Sequence, residues 1–205
     1  MTQKERMLAG KLYDTSDEEL AQLRLKAHKL SRKFSNTDED EVELRRDILS
    51  QLTPNSGSGL FLQGPVFFDY GVFTHFGKNC FANYNFTVLD CCPVIIGDNA
   101  FFGPNCSLLP PMHAYLPDER SMHFRPDGSV YDIEYAKPIT IGNDCWLAGN
   151  VTVCGGVTIG DGCIIGAGSV VTRDIPSGCL AAGNPCRIIR KITPEDSVKL
   201  KKELQ

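Results

Sequence analysis

Two hydrophobic periods divide the chain near residue 53. In the first part Leu20, Leu23, Ala27, Leu30 and Phe34 recur at spacings of three and four, the single apolar stripe of an amphipathic helix. Ser16-Asp17-Glu18-Glu19 reads as the capping box that starts it, the Ser16 hydroxyl accepting from the N–H of position 19 and Glu19 reaching back. A second helix is expected from Thr37, with Asp38, Glu39 and Asp40 complementing its positive end and Val42, Ile48, Leu49 and Leu52 as its buried face. Pro54-Asn55-Ser56-Gly57-Ser58-Gly59 then breaks the pattern.

Beyond that break the period becomes six. Ile141-Gly142, Leu147-Ala148, Val153-Cys154, Ile159-Gly160, Ile165-Gly166 and Val171-Thr172 place an aliphatic residue before a small one at an invariant spacing. A looser run precedes it: Tyr70-Gly71, Phe76-Gly77, Ala82-Asn83 and Val88-Leu89, then after a two-residue slip Ile96-Gly97, Phe102-Gly103 and Leu108. Six suits neither a helix nor long alternating strands. It suits short strands joined by tight corners, the aliphatic residue pointing inward on each face, as in hexapeptide-repeat parallel β-helices whose coils stack to bury each other's open faces. Three hexads make one triangular coil, so Ile141 to Thr158 and Ile159 to Pro176 are expected as two coils. Glycine after the aliphatic residue fits a corner that needs positive φ or close backbone approach. Asn143-Asp144 and Asp161-Gly162 add turn chemistry.

The repeat is lost from Leu108 to Ile141, where Pro110-Pro111, Pro117, Pro126 and Asp127-Gly128 occur. A loop of this length inside a repeat array is usually functional or disordered. It holds His113 and His123, two of the four histidines. The expected organisation is a helical segment over 1–53, a mainly β solenoid over 60–192 with an extruded loop at about 109–138, and a helical tail over 193–205.

With 205 residues, 42% hydrophobic and 22% charged, the chain is large enough to bury a core without metal or disulfide. A formal net charge of -4 argues against nucleic-acid partners, which require a basic surface. No stretch reaches the roughly 18 apolar residues of a membrane span, and Met1-Thr2-Gln3-Lys4-Glu5-Arg6 leads into no apolar signal segment. The nine cysteines form no C-x-x-C pair and are odd in number. A cytoplasmic protein using cysteine as a small apolar filler is expected.

Several longer runs are more specific than the bare hexad: Met7-Leu8-Ala9-Gly10-Lys11-Leu12-Tyr13, Phe81-Ala82-Asn83-Tyr84-Asn85, Ile139-Thr140-Ile141-Gly142-Asn143-Asp144-Cys145-Trp146, Gly160-Asp161 through Asp174-Ile175-Pro176, and Ala182-Gly183-Asn184-Pro185-Cys186-Arg187. On these the chain closely resembles the galactoside/maltose O-acetyltransferase family of hexapeptide-repeat acyltransferases over nearly its whole length. The resemblance implies a left-handed parallel β-helix, although parallel crossovers in general prefer the right hand. It also implies a homotrimer with sites between subunits and acetyl transfer from acetyl-CoA, as cosubstrate, to a hydroxyl of a small carbohydrate, with no metal. The family's catalytic histidine matches His113, where Ala114 stands in place of the proline of many relatives. Its coenzyme A contacts match Gly149, Ala167, Thr172, Arg173, Arg187 and Arg190, with Trp146 near the cofactor channel. On the acceptor side Asn83 and Asp69 match, an amino-terminal acidic contact falls near Asp14, and a carboxylate of galactoside acetylators is replaced by Cys91.

Each residue also has a plainer reading. A loop histidine is often merely solvated, but an unperturbed imidazole titrates near pH ~6.5 and suits a general base. His28, among Lys26 and Lys29, reads as surface, His123 as structural or exposed, and His75 as structural. Arginine forks onto phosphate, so Arg187 and Arg190 suit an anchor for coenzyme A, yet terminal charge clusters are often solvated faces. Asn83 reads equally as a corner residue, and a lone tryptophan such as Trp146 is more often partly buried core. Cys145, Cys154 and Cys163 recur at nine-residue intervals, which points to packing, so direct transfer without acetyl-cysteine is expected. Gly160, Gly162 and Gly166 are spaced one residue too far for a dinucleotide fingerprint. A zinc lyase would need His75, His113 and His123 to be gathered by folding. The remaining alternatives are a drug or amine acetyltransferase on the same fold and a non-catalytic β-helical assembly module.

Overall fold

In the computed structural model, which describes residues 1–201, the hexads stack as a parallel β-solenoid of about six turns. The first face carries Phe61–Leu62, Phe81–Ala82, Phe101–Phe102, Trp146–Leu147, Ile164–Ile165 and Cys179–Ala182. The second carries Val66–Phe68, Phe86–Val88, Ser107–Leu109, Thr152–Cys154 and Val170–Val171, and the third Thr74–Phe76, Val94–Ile96, Ile139–Ile141 and Thr158–Ile159. Along each face the hexad residue points inward: Leu62, Ala82, Phe102, Leu147 and Ile165 stack in one column and Val88, Leu108, Val153 and Val171 in another, all at most 1% exposed.

The register differs from the hexad reading at two places. The inward residue of the first turn is Phe68, paired with Val88, and Phe76 follows after the same two-residue slip that separates Val88 from Ile96. Tyr70 is buried, but in a separate cluster with Met7, Tyr13, Leu20, Cys91, Cys92 and Ala136. At the upper end Ile159 bridges to Ile175, so the last coil closes before a full set of three hexads. These slips, and the long interruption, all fall at the corner between the second and third faces.

The glycines after inward residues serve close approach. A Cβ on Gly97 would lie 2.7 Å from the Gly142 carbonyl carbon, while positive φ falls two positions later, at Asn99 (56°), Asp144 (57°) and Gly162 (63°). Asn99 Nδ2 donates to Asp144 Oδ1 at 2.9 Å, and Asn85, Asn105 and Asn150 form a similar side-chain ladder at the first corner.

Helices α1 (Gln3–Leu8), α2 (Glu18–Ser35) and α3 (Val42–Leu52) precede the solenoid. The stripe on α2 is buried as expected at Leu20, Ala27 and Phe34, but its N-cap is Asp17, whose carboxylate accepts from Leu20 N. The Ser16 hydroxyl donates instead to Asp14. Helix α3 starts at Val42 rather than Thr37, because Thr37 donates its hydroxyl to Phe34 O and the Glu41 carboxylate accepts from Asp38 N. Its buried face is Arg45, Ile48 and Leu52, with Val42 55% exposed. Arg45 donates to Leu62 O at 2.7 Å and to Thr37 Oγ1 at 3.0 Å, and its guanidinium lies 4.4 Å from the Phe34 ring centre. Phe34, Ile48 and Leu52 join the solenoid interior in one core. Past the last coil, Arg187–Lys191 pairs antiparallel with Cys179–Ala182. The expected tail helix is replaced by two short 3-10 turns, Pro194–Asp196 and Val198–Leu200; its residues 202–205 lie outside those described. Among the described residues no helix is long and apolar enough to cross a membrane.

Candidate active site

The extruded loop is held by antiparallel pairing. Pro111–Met112 pairs with Ile133–Ala136, which pairs on its other edge with Tyr13–Asp14. This small sheet returns the loop onto the corner and brings His113, which follows Met112, beside Glu134. His113 Nε2 lies 3.6 Å from Glu134 Oε1, with the imidazole about half exposed and the carboxylate mostly covered. Tyr13, paired across from Glu134, donates its hydroxyl to Glu134 Oε2 at 3.0 Å. Burial raises the Glu134 pKa, against the opposing pull of the Tyr13 hydrogen bond and of His113. Burial likewise pushes the Tyr13 and Cys91 pKa values up.

Asp14 belongs to the same corner but is already engaged. Ser16 N and Oγ donate to it at 2.9 and 2.7 Å, and Arg125, on the hairpin made by His123–Phe124 and Val130–Tyr131, pairs with its other oxygen. Burial alone would raise the Asp14 pKa; the Ser16 and Arg125 contacts outweigh it and lower it. Asp69 sits two turns below the strand from which the loop leaves, with its Oδ1 3.6 Å from His28 Nε2, and its pKa is raised by burial against the pull of His28 and Arg24.

Asp90, unread as a functional or structural residue, shapes this corner. It is wholly buried, and its carboxylate accepts from Tyr70 N, Gly71 N, Phe73 N and Thr74 Oγ1 at 2.8 to 3.2 Å. Its four donors fix the bend on which Asp69 rides. Glu134 was missed as well. Its link to His113 is made by strand pairing across the loop, and no local motif announces it.

Of the residues matched to coenzyme A, Thr172 and Arg173 are exposed on the same corner as the insertion, above it, and the others fall elsewhere on the solenoid. Gly149 and Ala167 line the corner between the first and second faces, where Asn83 also lies lower down, its Oδ1 accepting from Tyr84 N. Trp146 points outward on the first face, 51% exposed, which removes its core reading. Arg187 and Arg190 are exposed on the last strand; Arg187 donates to Cys186 O, and Arg190 forks onto Asp196 at 2.6 and 2.7 Å. The chain thus gathers His113, Asp14 and Asp69 at one corner and Asn83, Gly149 and Ala167 at another, with a strand of the second face, about 10 Å long, between them.

The thiols serve packing. All nine cysteines are unpaired among the described residues, and Cys80, Cys106, Cys145 and Cys163 donate to carbonyls of the next turn at 3.1 to 3.2 Å. Burial pushes Cys106 and Cys145 up to about 11, which disfavours a nucleophilic thiolate. Among the described residues no three His, Cys, Asp or Glu side chains are arranged to hold a metal ion.

A hexad-built parallel solenoid with a histidine on a corner insertion defines the hexapeptide-repeat transferases. Residues 138–173 match the bacterial transferase hexapeptide model, residues 93–109 the hexapeptide repeat of succinyl-transferase, and residues 6–55 the maltose acetyltransferase hexapeptide capping motif. The chain belongs to the galactoside/maltose O-acetyltransferase family. It is 40% identical to galactoside O-acetyltransferase of Escherichia coli (strain K12) over 199 residues, covering 96% of this chain and 92% of the relative. A crystal structure of a maltose O-acetyltransferase from Clostridium difficile 630 aligns with a TM-score of 0.85 and 44% identity, covering 94% of this chain and 98% of that one. A galactoside acetyltransferase in complex with coenzyme A aligns with a TM-score of 0.87 and 39% identity, covering 96% and 94%.

Proposed function

We propose that the chain is an acetyl-CoA-dependent O-acetyltransferase that acetylates a hydroxyl of a small sugar, with His113 as general base. The observation that carries this reading is the His113–Glu134 pair on the loop, at 3.6 Å. Sugar alcohols are weak nucleophiles near neutral pH, so a base must take the hydroxyl proton as the oxygen attacks. The half-exposed imidazole is available to a substrate, and the partly buried carboxylate beside it favours the imidazolium that forms. Acetyl-CoA supplies the acyl carbonyl and a thiolate leaving group, the C–S bond breaking as the C–O bond forms. His113 then returns the proton to the departing sulfur, so no acetyl-cysteine is needed.

The exposed residues on the upper turns fit such a cosubstrate. Trp146 offers an apolar surface to pantetheine, Gly149 and Ala167 leave the backbone approachable, and Thr172, Arg173 and Arg187 offer donors to phosphates. The coenzyme A complex of the similar galactoside acetyltransferase supports this. Arg190 is already neutralised by Asp196, so Arg187 carries the larger share of phosphate binding. Arg187→Ala should raise KM for acetyl-CoA about tenfold and leave KM for a dephospho cofactor within about twofold; equal losses with both cofactors reject phosphate recognition.

Glu134 acts as a positioning residue. Glu134→Gln should lower kcat about 10- to 100-fold, because a misoriented base costs that much. A kcat within about twofold of the wild type rejects the pairing.

The split of Asn83, Gly149 and Ala167 from His113, Asp14 and Asp69 supports a homotrimer in which one corner of each subunit meets the other corner of its neighbour. The nine free thiols support a cytoplasmic location. Acetyl-CoA turnover across mono- and disaccharides, amines and drugs, with the product position read by NMR, tests the acceptor class. Turnover with amines alone overturns the sugar reading, and no acetyl-CoA binding by calorimetry favours a non-catalytic scaffold.

A further inference from the structure

Beside its apolar stripe, α2 carries a polar one in which His28, Ser31, Arg32 and Ser35 share one helix face. His28, Ser31 and Arg32 form one wall of a groove of about 330 Å³ whose other wall is Phe67, Asp69 and Leu89 of the second face. Its size is that of a small-molecule cleft.

Three observations fit this largely apolar groove to a sugar ring lying face-on, with polar groups at its edges. Phe67 turns a half-exposed ring onto the groove, a surface for the C–H face of a sugar ring. Arg32 has no ion-pair or hydrogen-bond partner among the described residues, so its donors are free. Asp69, paired with His28 at 3.6 Å, ends the groove on the side of the reaction corner, close enough to Glu134 and Cys91 for its charge to act on both.

We propose that this groove is a second acceptor subsite, which takes the sugar ring that is not acetylated, with His28 and Arg32 as specificity-determining donors. The proposal rests on the sugar acetyltransferase reading of the same corner and extends it. A disaccharide or glycoside spans both subsites, whereas a free hexose fills only the one at His113. The enzyme therefore prefers the longer acceptor, and the preference resides in the groove rather than in the catalytic pair.

The test compares glucose with maltose as acceptors for acetyl-CoA in the wild type, His28→Ala and His28→Gln. His28 is half exposed on a helix surface, so neither variant threatens the fold. In His28→Ala, kcat/KM for maltose should fall about tenfold through KM while that for glucose stays within about twofold, and His28→Gln, which keeps a donor, should recover part of the maltose loss. Equal losses on both sugars, or no loss with maltose, overturn the subsite. Failure of the acetylation reading is visible separately, as no consumption of acetyl-CoA with any sugar. In that event calorimetry of maltose with the unreacted protein decides: binding weakened by His28→Ala upholds the subsite, and no maltose binding overturns it.

Discussion

Replacing His113 by alanine should lower kcat about 10²- to 10⁴-fold while acetyl-CoA affinity stays within about twofold of the wild type. The size follows from what is lost. The remaining side chains at the corner offer no substitute base: Asp14 is held by Arg125 and Ser16, Tyr13 and Cys91 keep their protons because burial raises their pKa, and Glu134 is partly buried behind the imidazole. Stopped-flow release of free coenzyme A measures the effect, and near-full activity would reject the assignment. The same variant tests the assembly. If the proposed trimer forms, assemblies from a mixture of His113→Ala and Asn83→Ala subunits should recover activity that neither has alone, since some interfaces then join an intact His113 to an intact Asn83. No recovery would mean that each site is made within one subunit.

The largest expected effect on stability is at Phe86. Its side chain is fully buried on the second face, and its ring meets those of Phe68, Phe76 and Phe102, the last at 4.9 Å between centroids. It therefore joins consecutive turns in the region where the helices dock. Phe86→Ala removes that hub and leaves a cavity that the surrounding strands, pinned by their ladders, cannot close. The expected loss is about 3–5 kcal/mol, seen as a fall in Tm of roughly 10 °C or more by calorimetry at fixed protein concentration. Phe124→Ala, on the loop and 73% exposed, is the matched control and should stay within about 0.5 kcal/mol of the wild type.

The hexads were readable because an inward aliphatic residue at every face repeats a local rule, and the upper six, Ile141 to Val171, are all inward. Tyr70 was misassigned because a corner residue buried by the amino-terminal segment has the same composition as a face residue. Burial by a distant part of the chain leaves no periodic trace. The helix starts were misplaced for a related reason. Ser16 and Thr37 are good capping residues, but their hydroxyls are taken by Asp14 and by the Phe34 carbonyl. At the site, His113 stood out as a histidine in an interruption, whereas Glu134 depends on strand pairing across that interruption and on Tyr13 from the far end of the chain. His28 read as surface, and half of it is; its other aspect, toward Asp69, emerges only when α2 lies against the second face.

A solenoid is a stack whose first and last rungs are both sticky, and identical copies could add end to end without limit. Here the two ends are made unlike. Below, helices pack their side chains into the opening. Above, Arg187–Lys191 reverses direction, with a register shift at Leu180 and Ala181, and presents Arg187, Arg190 and Lys191 to solvent. A second molecule arriving at either end finds no parallel edge to extend. The terminal segments thus act as stoppers against fibre growth, and their loss would expose a template for polymerisation as well as weaken the fold.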